Sequence, residues 1–230
     1  MGTVRELGAR LLDLVIPPRC VGCGERDRWL CDECRTRLSA LPAERCARCA
    51  APGVPTHLCS ACYRSPPPFD ELRAPLLHDA LARDLVLALK YRGHRHLAPI
   101  LADIAAQCAP AGGEIVVPVP LHPTRRAERG FNQSELLARE IGARLGIPLA
   151  VDALTRQRET PSQTGLSAKE REANVRGAFV APTRLDGRSV LLVDDVCTTG
   201  ATLAACARTL KRAGAARVLA VTVTRAAGML

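Results

Sequence analysis

The run Val190-Leu191-Leu192-Val193-Asp194-Asp195-Val196-Cys197-Thr198-Thr199-Gly200-Ala201-Thr202 constrains what this chain can fold into more than any other stretch. Its four leading apolar residues read as a buried parallel strand. Two carboxylates sit where that strand ends, a Thr/Gly-rich turn follows, and Leu203 to Leu210 reads as helix. An acidic pair, a turn and a helix N-terminus in this order are the parts of a sugar-phosphate site. Turn amides and threonine hydroxyls can hold a phosphate, and the helix start favours its charge. Asp194 and Asp195 are acceptors for sugar hydroxyls, and Gly200 lets backbone come close to a ligand. The plainer alternative is a strand-turn-helix whose acids cap the helix or bind a metal structurally.

The 230 residues suffice for one full core and a small satellite. No stretch of about twenty apolar residues occurs, so no membrane span is expected. Met1 to Pro18 carries Leu7, Leu11, Leu12, Leu14, Val15 and Ile16 among charges. It is too short and too charged for a signal peptide, and is expected to be an amphipathic helix docked on the protein, with a membrane-surface helix as the alternative.

Eleven cysteines in an apparently unexported chain point to metal. Eight form four pairs with two-residue gaps: Cys20/Cys23, Cys31/Cys34, Cys46/Cys49 and Cys59/Cys62. Each pair can be a knuckle gripping one tetrahedral metal, and two knuckles close a structural site of four thiolates. Sequence order suggests one Zn2+ on Cys20, Cys23, Cys31 and Cys34 and another on Cys46, Cys49, Cys59 and Cys62. An interleaved pairing, an iron-sulfur cluster and a disulfide framework stand as alternatives, and His57 is a minor candidate to replace a thiolate. Cys108 and Cys206 are expected in the core, and Cys197 at an apolar position. The formal charge of +9 falls to +5 once eight thiolates and two zinc ions are counted. That excess suits an anionic ligand and tolerates nucleic acid without demanding it.

The chain divides at Ser65-Pro66-Pro67-Pro68, a stiff stretch. Residues 1–66 are expected to hold a short helix and two small ribbons, poor in large apolar residues and dependent on metal. Residues 67–230 alternate strands and helices, hence an α/β sheet. Leu72 to Leu77, Glu114 to Val119, Val190 to Val193 and Val218 to Thr224 are predicted strands. Helices are predicted on either side of Lys90-Tyr91-Arg92-Gly93, over Ser134 to Leu145 before Gly146, and from about Ala201 to Ala213.

Two further segments carry chemistry. Val116 to Pro120 runs into Leu121-His122-Pro123, then Arg125, Arg126 and Arg129. A rigid turn at a strand end followed by guanidiniums suits a diphosphate; a solvated basic loop is the plain alternative. Leu154 to Leu166, with Arg158 and Gln163, leading to Arg171, Asn174 and Arg176, is polar and weakly periodic. It reads as a mobile lid or as an ordinary surface loop.

The Val190–Thr202 run resembles the thirteen-residue signature of type I phosphoribosyltransferases. The chain as a whole resembles the ComF, or competence protein F-like, family. The residues that carry this are Pro17-Pro18-Arg19-Cys20 with the cysteine pairs, Lys90-Tyr91-Arg92-Gly93, Pro118-Val119-Pro120-Leu121, Arg129-Gly130-Phe131-Asn132-Gln133, the Arg158/Gln163/Arg171/Asn174 set, and Val193 through Thr202. The resemblance implies a double zinc ribbon fused to a type I phosphoribosyltransferase fold, a mostly parallel twisted sheet flanked by helices. It also implies phosphoribosyl pyrophosphate (PRPP) bound with Mg2+. Asp194 and Asp195 would hold the ribose hydroxyls, and Thr198, Thr199, Gly200, Ala201 and Thr202 the 5′-phosphate. Leu121, His122, Arg125, Arg126 and Arg129 would flank the diphosphate, and Arg158, Gln163 and Arg171 would belong to the lid. Specificity would lie in a hood formed by Phe69 to Ala109 and the zinc unit. Relatives also resemble the catalytic half of amidophosphoribosyltransferase, but this chain lacks the glutaminase half. The family link is natural transformation, which implies a cytoplasmic protein. Its partners would be PRPP, single-stranded DNA, and a transformation helicase or recombination mediator. Two functions follow: a phosphoribosyltransferase with an open acceptor, linked to DNA uptake or nucleotide metabolism, or a non-enzymatic zinc-ribbon adaptor that binds single-stranded DNA or a transformation protein and is regulated by PRPP. The six aromatic residues argue against an extended stacking platform for DNA.

Overall fold

The computed structural model describes residues 17–55, 57–159 and 168–227. The helix predicted over Met1 to Pro18 therefore lies outside the described residues apart from its last two positions, as does Gln163. The ribbon segment contributes two one-turn helices, α1 (Asp32–Thr36) and α2 (Ser60–Arg64), each opened by a cysteine whose sulfur accepts a backbone N–H three residues on.

The edge of the main sheet follows as two pieces, β1 (Glu71–Arg73) and β2 (Leu76–Leu77). One strand was expected over Leu72 to Leu77. It breaks at Ala74-Pro75 because proline has no ladder N–H to donate, and the Pro75 carbonyl instead accepts from Leu41 N at 2.7 Å. Helix α3 (Ala80–Tyr91) starts on the Asp79 side-chain cap, and α4 (Leu97–Ala106) follows the Arg92–His96 turn. Next come β3 (Ile115–Pro118), α5 (Pro123–Arg129) and α6 (Gln133–Leu145). No helix is predicted over Thr124 to Arg129, which reads as a turn followed by guanidiniums, with a solvated basic loop as the alternative. The segment is helical because Pro123 sits at the first position and Gly130, at φ 76°, closes the end.

A single 3-10 turn (Val151–Ala153) leads to β4 (Thr155–Arg156), α7 (Ala168–Val175) and β5 (Phe179–Val180). The chain ends with β6 (Ser189–Cys197), α8 (Ala201–Arg212) and β7 (Arg217–Arg225).

The five-stranded sheet runs β1/β2, β7, β6, β3, with every pairing parallel. A parallel sheet is buried on both faces. Accordingly Leu191 and Val193 of β6 face α3, α4 and α6, while Val190 and Leu192 face α8. Most of the segment expected to form a hood, Phe69 to Ala109, is instead sheet edge and core helix: Leu72, Leu85, Leu89, Leu97 and Leu101 are all buried. Cys206 is in the core as expected, whereas Cys108 is only half-buried at the end of α4.

The ribbons are welded to the sheet edge. Ala40 bridges Leu76 in antiparallel register, and Leu77 N donates to Ser39 O at 2.9 Å. Cys20, Leu30, Cys31 and Cys34 share a core cluster with α3 and α4, while Leu41 and Ala50 join the opposite face. The approach is close at Gly22, where a Cβ would lie 2.7 Å from Cys34 Sγ and 2.9 Å from Leu81 Cδ1.

Candidate functional site

The eight paired cysteines form two sets in sequence order, Cys20/Cys23/Cys31/Cys34 and Cys46/Cys49/Cys59/Cys62, with all sulfurs of a set within 4.8 Å of one another. The interleaved pairing is excluded, and none of the eleven cysteines forms a disulfide. Tetrahedral Zn2+ with bonds of about 2.3 Å spaces its sulfurs about 3.8 Å apart. The structure has Cys20–Cys31 at 3.7 Å, Cys23–Cys31 at 3.6 Å and Cys49–Cys59 at 3.8 Å. The two sets share one pattern of N–H donors. Cys31 N donates to Cys20 Sγ and Cys34 N to Cys31 Sγ; Cys59 N donates to Cys46 Sγ and Cys62 N to Cys59 Sγ, all at 3.4 Å. Burial raises the Cys20 and Cys46 thiols, but backbone N–H groups outweigh it and pull both down to about 6. Both sites fit structural Zn2+. His57 is exposed and belongs to neither.

The second site lies at the C-terminal end of β6. Asp194 and Asp195 are 8% and 3% exposed. Asp194 Oδ1 accepts from Ser134 Oγ at 2.8 Å and from Asp195 N at 2.9 Å. Asp195 Oδ2 forms an ion pair with Lys90 Nζ at 2.7 Å. Burial, reinforced by the neighbouring Asp195, pushes the Asp194 carboxyl up to about 7. Burial pulls the Lys90 ammonium down, but the Asp195 carboxylate more than compensates, so its pKa lies above the usual lysine value.

Beside the acids, a small pocket is lined by Asp194, Val196, Cys197, Thr198, Gly200, Ala201, Thr202 and Leu203. Gly200 caps α8 at φ 81°, and Thr199 Oγ1 accepts from Ala201 N at 3.3 Å. The first-turn N–H groups of a helix have no intrahelical acceptors, so this pocket carries backbone donors. Burial pushes the Cys197 thiol up to about 11, away from nucleophilic duty.

The arginines divide. His122 Nδ1 stands 3.1 Å from Thr124 Oγ1 and 3.9 Å from Glu159 Oε2, which brings the half-buried Leu121-His122 turn up against the 154–159 segment. Arg125 is half-buried, and buried Arg156 has its pKa lowered by burial and then by Arg125, while Asp194 pulls the other way. Arg126 pairs with Glu135 of α6 at 3.1 Å. Arg129 donates to Gln133 Oε1 and lies 4.8 Å from the centre of the Tyr91 ring. Arg158 donates to the carbonyls of Asn174 at 2.9 Å and Arg176 at 2.7 Å. Arg171 is half-buried on α7. The expected lid is therefore anchored at its start: Leu154 is buried, and Arg156 pairs with Phe179 across β4 and β5.

Comparison with known proteins accords with this geometry. A phosphoribosyl transferase domain model matches residues 131–228, and a double zinc ribbon domain model matches residues 11–63. DNA utilization protein YhgH of Escherichia coli K12 is 33% identical over 218 residues, covering 89% of this chain and 96% of that protein. The chain belongs to the ComF family. Competence protein F of Haemophilus influenzae is 29% identical over 85% of this chain and 92% of its own length. Competence protein ComFC of Bacillus subtilis is 26% identical over 86% and 85%. The fold is that of a type I phosphoribosyltransferase carrying two zinc ribbon sites. Among the described residues, no helix of this ComF protein is long and apolar enough to cross a membrane.

Sequence reasoning gave no role to four side chains in this ComF site: Lys90, Ser134, Arg156, and Arg225, whose Nη1 donates to the Cys197 and Thr198 carbonyls of the turn. Lys90 carried a signal as the first residue of Lys90-Tyr91-Arg92-Gly93, which marks the family resemblance but not the contact with Asp195. Arg225 carried another, a charge closing an apolar strand.

Proposed function

We propose that this ComF protein binds PRPP with Mg2+ and transfers the phosphoribosyl group to an acceptor. The observation that carries the reading is the buried Asp194–Asp195 pair at the end of β6, beside the donor-lined pocket that heads α8. On this reading Asp194 and Asp195 accept from the ribose hydroxyls, while Thr198 to Thr202 hold the 5′-phosphate. Leu121, His122 and Arg125 flank the diphosphate, with Arg126 and Arg129 at the rim. Arg158, Gln163 and Arg171 belong to the segment that covers the site and keeps water from the ribosyl cation.

Lys90 pairs with Oδ2 of Asp195 and leaves Oδ1 as an acceptor, and Ser134 occupies one oxygen of Asp194 while leaving Oδ2 for the ligand. Mg2+ held by the diphosphate oxygens would neutralise the leaving group. Among the described residues the only groups of three or more clustered metal-ligand side chains are the two cysteine sets, which suits an ion that arrives with its substrate.

The test is calorimetry of PRPP·Mg2+ binding to the parent and to Asp194→Asn/Asp195→Asn. Affinity should fall at least about tenfold, the loss of one to two charge-assisted hydrogen bonds. Unchanged affinity overturns the assignment. Pyrophosphate release with amines, bases and single-stranded DNA as acceptors then reads turnover.

DNA is the partner that the name of the Escherichia coli relative favours, and we take its single-stranded form as the candidate. The rim supports it modestly: Tyr91 is 68% exposed with the Arg129 guanidinium over its ring. Phe69, Phe131 and Phe179 are buried, so backbone electrostatics would dominate and binding should weaken steeply with salt.

A further inference from the structure

The Cys46/Cys49 knuckle of the second zinc site and the phosphate loop are joined through one buried side chain. The backbone N–H groups of Cys49 and Arg48 act on the Cys46 thiol and lower it. The carbonyls on the other edge of those peptide planes point at the sheet: Ala47 O accepts from Arg73 Nη1 at 2.9 Å, and Arg48 O from Leu72 N at 2.8 Å. A trans peptide is planar with C=O and N–H opposed. A metal that fixes the amides inward thereby fixes the carbonyls outward.

The next carbonyl, Cys49 O, shares its plane with the Ala50 N–H that closes the turn on Cys46 O at 2.9 Å, and it accepts from Arg225 Nε at 3.1 Å across 176 residues of chain. Arg225, at the end of β7, is 6% exposed. Its Nη1 donates to the carbonyls of Cys197 at 3.2 Å, of Thr198, and of Ala226 at 2.8 Å. Among the described residues all its hydrogen-bond partners are main-chain carbonyls. No peptide bond here is cis. Turning the Cys197 and Thr198 carbonyls onto Arg225 therefore turns the Thr198 and Thr199 amides the opposite way.

We propose that Arg225 is a positioning residue that orients the Thr198 and Thr199 amides as phosphate donors and, through Cys49 O, makes that orientation depend on a metal-filled second ribbon site. The proposal rests on the reading of Thr198–Thr202 as a phosphate loop. A guanidinium suits the task because its donors diverge in a rigid plane, whereas an ammonium is a point charge that cannot span both segments.

The experiment uses full-length protein. Zinc content, hydrogen exchange of the peptide covering Cys197 to Thr202, and affinity for PRPP·Mg2+ are compared in the parent, Arg225→Lys, Cys62→Ser and Arg73→Met. Arg225→Lys should keep two zinc ions, lose loop protection and bind at least about tenfold more weakly. Cys62→Ser should lose the second zinc and loosen the loop to the same degree, and the double variant should be no worse than either single one. Arg73→Met loses a knuckle contact without touching the loop and should leave loop exchange at the parental rate.

Parental loop exchange in Arg225→Lys overturns the proposal, as does an intact loop after loss of the second zinc or equal loosening by Arg73→Met. Stepwise chelation of the parent, read by the same exchange, replaces Cys62→Ser where that variant does not fold. Failure of the parent to bind PRPP·Mg2+ removes the site reading instead, and the exchange measurement still decides whether knuckle and loop are coupled.

Discussion

Asp194 is a carboxyl held against its preference. Burial and the neighbouring Asp195 lift it from 3.8 to about 7 in the folded protein. Between about pH 4 and pH 7 the folded state therefore binds more protons than the unfolded chain. Stability falls as pH rises through that window, and the penalty is fully present above it. Asp194→Asn keeps an oxygen for the Ser134 hydroxyl and the Asp195 amide but removes the buried charge. It should melt higher than the parent at pH 8 and no higher at pH 5, by calorimetry at both values. An equal gain at the two pH values would show that the carboxyl is ionised throughout. The acids were legible in the sequence because strand, acids and turn are contiguous there. Their partners were not: Ser134 lies 60 residues from Asp194, and Lys90 approaches from another helix. Nothing local in the sequence marks either contact.

Helix ends show what elements add. Asn132 caps α6 by accepting from Ser134 N at 3.1 Å, and its Nδ2 donates to Val119 O at 3.0 Å. One buried amide thus ties the end of β3 to the helix that delivers Ser134 to Asp194. Asn132→Ala should destabilise by about 2 kcal/mol, a lost cap plus an unpaired buried carbonyl, read as a lower urea midpoint at unchanged slope. A midpoint within error of the parent would mean that water replaces both contacts. The signals for α5, Pro123 at its start and Gly130 past its end, were in the sequence but were outweighed by the density of arginines. The break between β1 and β2 was likewise legible at Pro75. Its use, a carbonyl freed for Leu41, depended on the ribbons being alongside.

For the whole molecule, the ribbons do more than enclose metal. Residues 39–41 cover the β2 edge, and an uncovered edge strand invites pairing with another chain. Chelation should therefore lower the melting temperature and raise light scattering together, with both restored by Zn2+. A chelated protein that melts and scatters like the parent would show that the edge is protected without the ribbons.

Short-range patterns determined the fold class, the two metal sites and the acidic strand end, because a knuckle, a buried strand or a Thr/Gly-rich turn is written within a dozen residues. Tertiary structure alone decided which charge faces which: Lys90 on Asp195, Ser134 on Asp194, and Arg225 between a zinc knuckle and the turn at the head of α8. Those contacts exist only because a parallel sheet gathers the C-terminal ends of distant strands at one edge, where buried charges must find partners wherever the chain brings them.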